Sequence, residues 1–377
     1  MDSIRMDSTG KLGFGLMRLP KKGLSIDIEK TSRMVDLFME AGFTYFDTAF
    51  VYPGSEAAAR KALVERYPRE SYTLATKLMA SFVPTEKAAK EELETSLDRT
   101  GAGYFDYYLL HALDAANFEK NEKFHLWDFV KEEKAKGRIK HYGFSFHDTP
   151  ELLDRILTEH PDAEFVQLQI NYADWEKPSV QSRGIYEVAR MHDKPVVVME
   201  PVRGGSLANP PVEIKNIFDR ADSNASYASW AIRFAASLDG ILTVLSGMSD
   251  EEQMKDNLSY MKDFRPMSKE ELHIIQEAQE VYGSIKNIPC TACRYCTEGC
   301  PKKIDIPGII SSLNLRSSSG QQRRSEEEYA EAVASGGKAG ECMKCHKCEK
   351  VCPQHIEVTK EMERAEELFE KKTKIST

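Results

Sequence analysis

Pro195-Val196-Val197-Val198-Met199-Glu200 sets four apolar residues in a row between a proline and an acid, and Ile241-Leu242-Thr243-Val244-Leu245 does nearly the same further along. A strand with one wet face alternates apolar and polar side chains. A run that is apolar on both faces suits a parallel strand covered by helices. Six more strand-like runs, at residues 12–17, 44–48, 72–78, 105–111, 140–145 and 165–170, precede residues 195–200 and 241–246, with amphipathic helical stretches between them. Ile28, Thr31, Met34, Val35, Phe38 and Ala41 share one face of the first helix, and Gly42 is its stop. Thr149-Pro150-Glu151 opens another with proline in the first turn, and Ser268-x-x-Glu271 is a capping box for a late helix running to Gly283. Eight strand–helix units predict an α/β chain whose main body, residues 1–285, is a (β/α)8 TIM barrel. Alternation by itself also suits a doubly wound sheet. Gly13-Phe14-Gly15 is not the dinucleotide fingerprint of such a sheet, because Arg18 stands where the third glycine belongs. Gly204-Gly205 reads as a loop, suited to close backbone approach to a ligand.

In a TIM barrel the working groups sit at the C-terminal strand ends. Those ends offer Asp47, Lys77 and His111, with Tyr52 in the loop after the second strand. Each has an ordinary structural explanation on its own, as a cap or a core ring. Together they make a proton-donating site. A phenol with a pKa near ~10 is too weak an acid at neutral pH. A lysine ammonium beside it favours the phenolate, and an aspartate keeps the lysine charged. A histidine on the same rim orients a carbonyl. The loops at residues 51–55, 113–124 and 174–180, which would choose the substrate, carry no decisive chemistry.

All eight cysteines lie between positions 290 and 352 and form one pattern written twice: Cys290-x2-Cys293-x2-Cys296-x3-Cys300-Pro301 and Cys342-x2-Cys345-x2-Cys348-x3-Cys352-Pro353. This is the run of two-cluster ferredoxins, in which the fourth cysteine of each run crosses to the other cluster. On that rule Cys290, Cys293, Cys296 and Cys352 hold one [4Fe–4S] cluster, and Cys342, Cys345, Cys348 and Cys300 hold the second. Zinc and disulfides are the competing readings. Zinc gives no reason for the third cysteine or for the Cys-Pro ending. Residues 286–377 are therefore expected to form a small ferredoxin-like iron–sulfur domain behind a linker at 284–289, with an inserted helix and loop at 317–341 on its surface.

The 377 residues, 41% of them hydrophobic, can bury a sizeable core. A net charge of −9 with no basic cluster argues against nucleic acid. The short runs Arg323-Arg324 and Lys371-Lys372-Thr373-Lys374 read as solvated surface. No apolar stretch is long enough to span a membrane, and Met1-Asp2-Ser3-Ile4-Arg5 lacks a signal-peptide core, so a cytoplasmic protein is expected. Cysteines reserved for metal fit a reducing compartment. Asn224-Ala225-Ser226 is a chance glycosylation match, and His141, His147, His192 and His346 have no ligand-like spacing.

Phe46-Asp47-Thr48-Ala49-x-x-Tyr52, Thr76-Lys77-Leu78 and Leu109-Leu110-His111 resemble the Asp–Tyr–Lys–His tetrad of the aldo-keto reductase superfamily. Gly13-x-Gly15-x-Met17-Arg18-Leu19-Pro20, Gly143-Phe144-Ser145, Val166-Gln167-x-Gln169 and Ser246-Gly247-Met248, with Gln253 and Asn257 after them, fall in the family's order. The resemblance covers about residues 10–285. It implies a TIM barrel binding extended NADPH or NADH, with Tyr52 as general acid, Lys77 and Asp47 tuning it, and His111 orienting the carbonyl. It also implies that Ser145 and Gln167 meet the nicotinamide carboxamide, and that Ser246, Gly247, Gln253 and Asn257 lie near the adenosine and its 2′-phosphate. Where many members stack an aromatic ring on nicotinamide this chain has Met199. It has Gly247 where many place a lysine, and Phe146 where an asparagine is common.

The whole chain thus resembles an aldo-keto reductase fused to a ferredoxin-like 2×[4Fe–4S] domain. It is expected to be an oxidoreductase acting on a small carbonyl or alcohol. Hydride moves two electrons together, whereas each cluster takes one. Hence one reading makes the clusters an electron relay from a redox partner protein to substrate, a flavin or another rim cofactor. A second makes them structural or redox-sensing on a nicotinamide-dependent reductase. A third makes the chain a binding module whose barrel docks a partner.

Overall fold

The computed structural model describes residues 10–23, 25–178, 180–285, 287–317 and 321–371. The N-terminal residues read for a signal peptide, Lys286 of the linker and Lys372-Thr373-Lys374 of the basic run lie outside the described residues. The chain divides into two compact units: residues up to Val202 with Phe218–Gln276, and Arg203–Ile217 with Glu277 onward.

The first unit is a closed barrel of eight parallel strands. They are β1 (Leu12–Gly15), β2 (Tyr45–Asp47), β3 (Thr73–Leu78), β4 (Phe105–Leu113), β5 (Ile139–Phe146), β6 (Val166–Gln169), β7 (Val196–Met199) and β8 (Ile241–Ser246). Every strand pairs with its sequence neighbours, and β8 closes on β1 through Leu12 and Val244. The doubly wound alternative is thereby excluded. All eight expected strands form, and the apolar run of β7 is buried on both faces at Val196, Val197 and Val198. The first run shortens to four residues, because Leu16–Arg18 turn into a single helical turn. A side chain at Gly143 would meet the Phe165 carbonyl at 2.2 Å, so β5 needs glycine there to lie against β6.

The helix Ile28–Glu40 starts at Asp27, whose carboxylate accepts from the Lys30 amide, and Gly42 follows it at φ +89°. Thr149 caps Pro150–Glu159. The Ser268–Glu271 box forms in both directions, with the Ser268 amide donating to Glu271 at 2.8 Å and the Glu271 amide to Ser268 Oγ at 3.2 Å.

The interior of the barrel is filled by Tyr45, Ala75, Tyr107, Leu109, Phe165, Val197, Leu242 and Leu245. Strand side chains alternate faces, so the residues two positions on from Tyr45, Ala75, Leu109, Phe165 and Val197, and from Gly143 of β5, which lies against the Phe165 ring, point the same way. Those residues are Asp47, Lys77, His111, Ser145, Gln167 and Met199. The pleat alone lines up most of the expected site.

The second unit has its own core of Ile304, Ile306, Ile309, Ile310, Leu313, Tyr329, Ile356, Val358 and Met362, with Cys290, Cys296, Cys300, Cys342, Cys348 and Cys352 packed against it. Fully burying one such aliphatic side chain contributes about 1.5–3 kcal/mol. The 52-residue sequence repeat is also structural. Helices Tyr295–Glu298 and Lys347–Lys350 correspond, as do Ile306–Ser317 and Val358–Ala365. The left-handed residues recur in register: Ala292 and Lys344, Arg294 and His346, Lys303 and His355. The inserted helix, Gln322–Val333, is more than surface decoration. Its Tyr329 is buried and stacks on Phe369 at 4.6 Å.

Candidate functional site

Lys77 is fully buried on β3, and its Nζ donates to Asp47 Oδ1 at 2.6 Å and to the Thr48 carbonyl at 2.7 Å. Burial pushes the Asp47 carboxyl up and the Lys77 ammonium down, and each opposes the other's shift by its charge. The ammonium lies 5.0 Å from the centroid of the Tyr52 ring. Tyr52 and His111 meet edge to face at 6.0 Å. All four residues of the expected tetrad therefore converge.

The Tyr52 loop is pinned at both ends. The Phe50 amide donates to the Lys77 carbonyl at 3.2 Å, and the Ser55 amide to the Tyr52 carbonyl at 3.1 Å. Gly54 makes the sharp turn between them at φ +74°. Ser55 Oγ bonds the Leu16 carbonyl at 2.9 Å and shares a 2.7 Å bond with Thr48.

His111 does not end its strand. β4 runs on to Leu113, and the break in register falls at Ala112, whose φ is +55°. The Ala112 amide turns to Ser145 Oγ at 2.7 Å. His111 is 5% exposed, and burial, with Lys77 and His147 nearby, holds its pKa well below the usual imidazole value. The ring is neutral at neutral pH, and its Nδ1 is buried without a partner among the described residues.

Of the residues expected to meet nicotinamide, Ser145 and Gln167 are buried and Met199 is half-buried. Ser145, Gln167 and Met199 lie on neighbouring strands, Ser145 opposite Gln167 across β5 and β6. Gln167 donates to the Met199 sulfur at 3.6 Å, while its Oε1 is buried with no partner among the described residues and so fits an amide donor. Phe146 is fully buried, edge-on to Phe144 at 6.4 Å. At the other end Ser246 Oγ donates to Asn257 Oδ1 at 2.6 Å, and Gly247 leaves its Cβ position with only ordinary contacts to Arg18. Gln253 is engaged locally by Asp250 and Ser249.

Sequence reasoning missed a buried carboxylate pair behind Lys77. Glu56, 2% exposed, accepts from Thr76 Oγ1 at 2.8 Å and pairs with Arg99 at 3.2 Å. Arg99 also donates to the Phe50 carbonyl at 3.2 Å, so it ties the Tyr52 loop to this carboxylate. Glu92 accepts from the Met79 amide at 2.8 Å. Its pKa is pushed up to about 7 by burial, with Glu56 adding to the rise and the Met79 amide opposing it. Glu56 could have been flagged as an acid on the apolar face of a helix two residues after Gly54.

Gly204 and Gly205 both adopt left-handed backbone. Within the second unit, a side chain on Gly204 would meet the Thr291 carbonyl at 2.1 Å, so glycine there serves close packing against the cysteine loop. His141, His192 and His346 pair with Glu164, Asp154 and Glu349.

All eight cysteines are free thiols. Cys300, Cys342, Cys345 and Cys348 line one cavity together with Ile304, Ile306, Val358 and Met362. Cys296 has its pKa raised by burial and then by Cys293, Cys290 and Cys352, with Cys348 of the other expected set adding a smaller push. The cavity of four thiols and this grouping are compatible with the crossed rule. Backbone amides point at them as well: the Ala292 amide donates to Cys290 Sγ at 3.4 Å, and the amides of Ile356, Gln354 and His355 favour the Cys352 thiolate. Among the described residues no three His, Cys, Asp or Glu side chains close on a single metal ion. Apolar walls, amide donors and four facing thiols fit a [4Fe–4S] cluster, which is wider than one ion.

Residues 11–280 match the aldo/keto reductase family and residues 289–357 the 4Fe-4S dicluster domain. An aldo-keto reductase of Mycobacterium avium (strain 104) is 27% identical over 245 residues, 64% of this chain and 80% of that protein. The methylglyoxal reductase DkgA of Yersinia pestis is 24% identical over 71% of this chain and 94% of its own length. Among solved structures, the holo form of aldo-keto reductase AKR11C1 from Bacillus halodurans superposes with a TM-score of 0.59 at 26% identity, covering 71% of this chain and 91% of its own. An aldo/keto reductase of Klebsiella pneumoniae, solved with NADP and acetate, has a TM-score of 0.58 at 19% identity, over 73% and 92% of the two chains.

Proposed function

Because the chain belongs to the aldo/keto reductase family across residues 11–280, we propose that its barrel reduces a small-molecule carbonyl, or oxidises the corresponding alcohol, with Tyr52 as the proton donor. The observation that carries this reading is the Lys77 ammonium, buried between Asp47 and Thr48 and lying 5.0 Å from the Tyr52 ring centroid. A cation held there favours the phenolate, so the phenol gives up its proton more readily. Neutral His111 donates a hydrogen bond to the substrate oxygen without competing as an acid. A nicotinamide, NADPH or NADH, would supply hydride when bound, and the Tyr52 proton goes to the carbonyl oxygen. Ser145 and Gln167 would hold its carboxamide, the buried Gln167 Oε1 being suited to the amide N–H. Met199 lies beside them, and Ser246, Gly247, Gln253 and Asn257 serve the adenosine end.

In the second unit Cys290, Cys293, Cys296 and Cys352 form one seat, and Cys300, Cys342, Cys345 and Cys348 the other. [4Fe–4S] clusters in them supply one-electron storage and exchange. Two one-electron seats hold as many electrons as one hydride carries, which supports a relay between the nicotinamide site and a redox partner. The packing of six cysteines against the small core supports a second, structural role. The test is anaerobic reconstitution, followed by NADPH or NADH while absorbance and electron paramagnetic resonance are recorded. Reduction of the iron centres by nicotinamide is the relay's expected result. Carbonyl turnover that persists after Cys-to-Ser loss of both seats overturns the relay and leaves the Tyr52 reading standing.

A further inference from the structure

The two cysteine loops are related by the 52-residue repeat and carry the same surplus of two positive charges over residues 290–303 and 342–355, yet the two thiol sets they build differ in surroundings. Residues 290–299 carry one arginine and one glutamate. Residues 300–303 with 338–350, which hold Cys300, Cys342, Cys345 and Cys348, carry six lysines against two glutamates, a surplus of four positive charges in a chain whose net charge is −9. Cys345 is exposed, whereas the other seven cysteines are partly buried. Beside it Met343 is 62% exposed, one of the few large apolar side chains so open.

Lys302, Lys303, Lys338, Lys344, Lys347 and Lys350 are all exposed. The acids near them are largely engaged. Glu349 turns inward to accept from the Thr359 amide and hydroxyl, each at 2.8 Å, and pairs with His346. Glu363 pairs with Lys344. With Lys344 so paired, the other five lysines carry the surplus beside one open apolar side chain, and an apolar centre with a polar rim is the anatomy of a transient protein interface. Charge of one sign steers a partner of the other.

We propose that the Met343–Cys345 face is the docking surface for a small acidic one-electron carrier protein, which exchanges electrons with this chain through the Cys300, Cys342, Cys345 and Cys348 seat. The proposal rests on reading that seat as a [4Fe–4S] site. In each encounter the carrier loses one electron, the iron centre held by the four thiolates gains it, and no bond or proton moves. The Cys290, Cys293, Cys296 and Cys352 seat, whose thiols are all partly buried, is then the second to receive the electron.

The test uses the anaerobic full-length holoprotein and a labelled acidic 2[4Fe–4S] ferredoxin as probe. Binding is followed by fluorescence anisotropy and electron transfer by stopped flow, from about 20 to about 300 mM salt, a range that shortens the screening length several-fold. Association is expected to slow at least roughly tenfold across that range. The Lys303→Glu/Lys350→Glu double variant is expected to show the slow rate at low salt, with unchanged iron content. Rates indifferent to salt and to charge reversal overturn the proposal, as does equal binding of a basic cytochrome or a DNA duplex. If dithionite raises no iron–sulfur signal in the wild type, the cluster reading fails and takes the docking proposal with it. If dithionite reduces the iron and the acidic carrier does not, the docking proposal alone fails.

Discussion

Asp47→Asn separates the chemistry of the barrel site from its stability. The side chain is 3% exposed, and its Oδ1 is the only carboxylate oxygen on Lys77 Nζ among the described bonds. Asparagine keeps the shape and an acceptor but removes the charge. Lys77, already pushed toward its neutral form by burial, loses the main group that opposes that shift, since Glu56 acts only at longer range. Removing one partner of a buried pair costs about 3–5 kcal/mol. The low end, about 3 kcal/mol, applies here, because Nζ still donates to the Thr48 carbonyl and the amine can shed its proton. The Tyr52 phenol then has no cation beside it, and kcat/KM for carbonyl reduction is expected to fall about 100-fold, some 2.7 kcal/mol of barrel chemistry. The alkaline limb of the reduction profile moves to higher pH. Adding Lys77→Met to Asp47→Asn removes the orphaned charge, so denaturant unfolding recovers most of the lost stability while activity stays low. Activity within threefold of wild type in Asp47→Asn, or activity that tracks stability through the pair of variants, would refute the reasoning.

Three further outcomes follow from the same geometry. Glu56→Gln weakens the hold of Arg99 on the Tyr52 loop, so kcat is expected to drop roughly tenfold with KM little changed, about the effect of one charge-assisted hydrogen bond; an unchanged kcat counts against that role. Glu92 has a folded pKa of about 7 against an ordinary 4.5, so the stability it contributes is present below pH 4.5 and is lost as pH rises through 7. Up to about 3 kcal/mol is involved, and melting curves of Glu92→Gln should be flatter over that window than those of wild type. Because burial keeps His111 neutral, the kcat/KM profile should show no acid limb near pH 6.5, and a histidine-like limb there contradicts the neutral ring.

Much of the fold was legible because burial on both faces leaves a plain mark in the chain. The apolar runs at β7 and β8 suited covered strands, and the pleat then carried Asp47, Lys77, His111, Ser145, Gln167 and Met199 to one face. The cysteine spacing was equally readable, since its turns need left-handed residues at fixed places, and Ala292, Arg294, Lys344 and His346 supply them. The break at Ala112 was hidden, because nothing in Leu110-His111-Ala112-Leu113 marks a residue that turns its amide to Ser145. Glu56 and Glu92 were hidden for a different reason. A carboxylate on a helix reads as solvated until tertiary contacts bury it. The grouping of Arg203–Ile217 with the cysteine unit likewise depends on contacts far apart in sequence.

The most direct measurement is kcat/KM for carbonyl reduction by Tyr52→Phe in anaerobic holoprotein, with iron content and paramagnetic resonance recorded on the same sample. Loss of a general acid is worth about 10²–10⁴ in rate. The account predicts a fall in that range with iron and spectra unchanged; turnover equal to wild type in a fully iron-loaded Tyr52→Phe protein would contradict it.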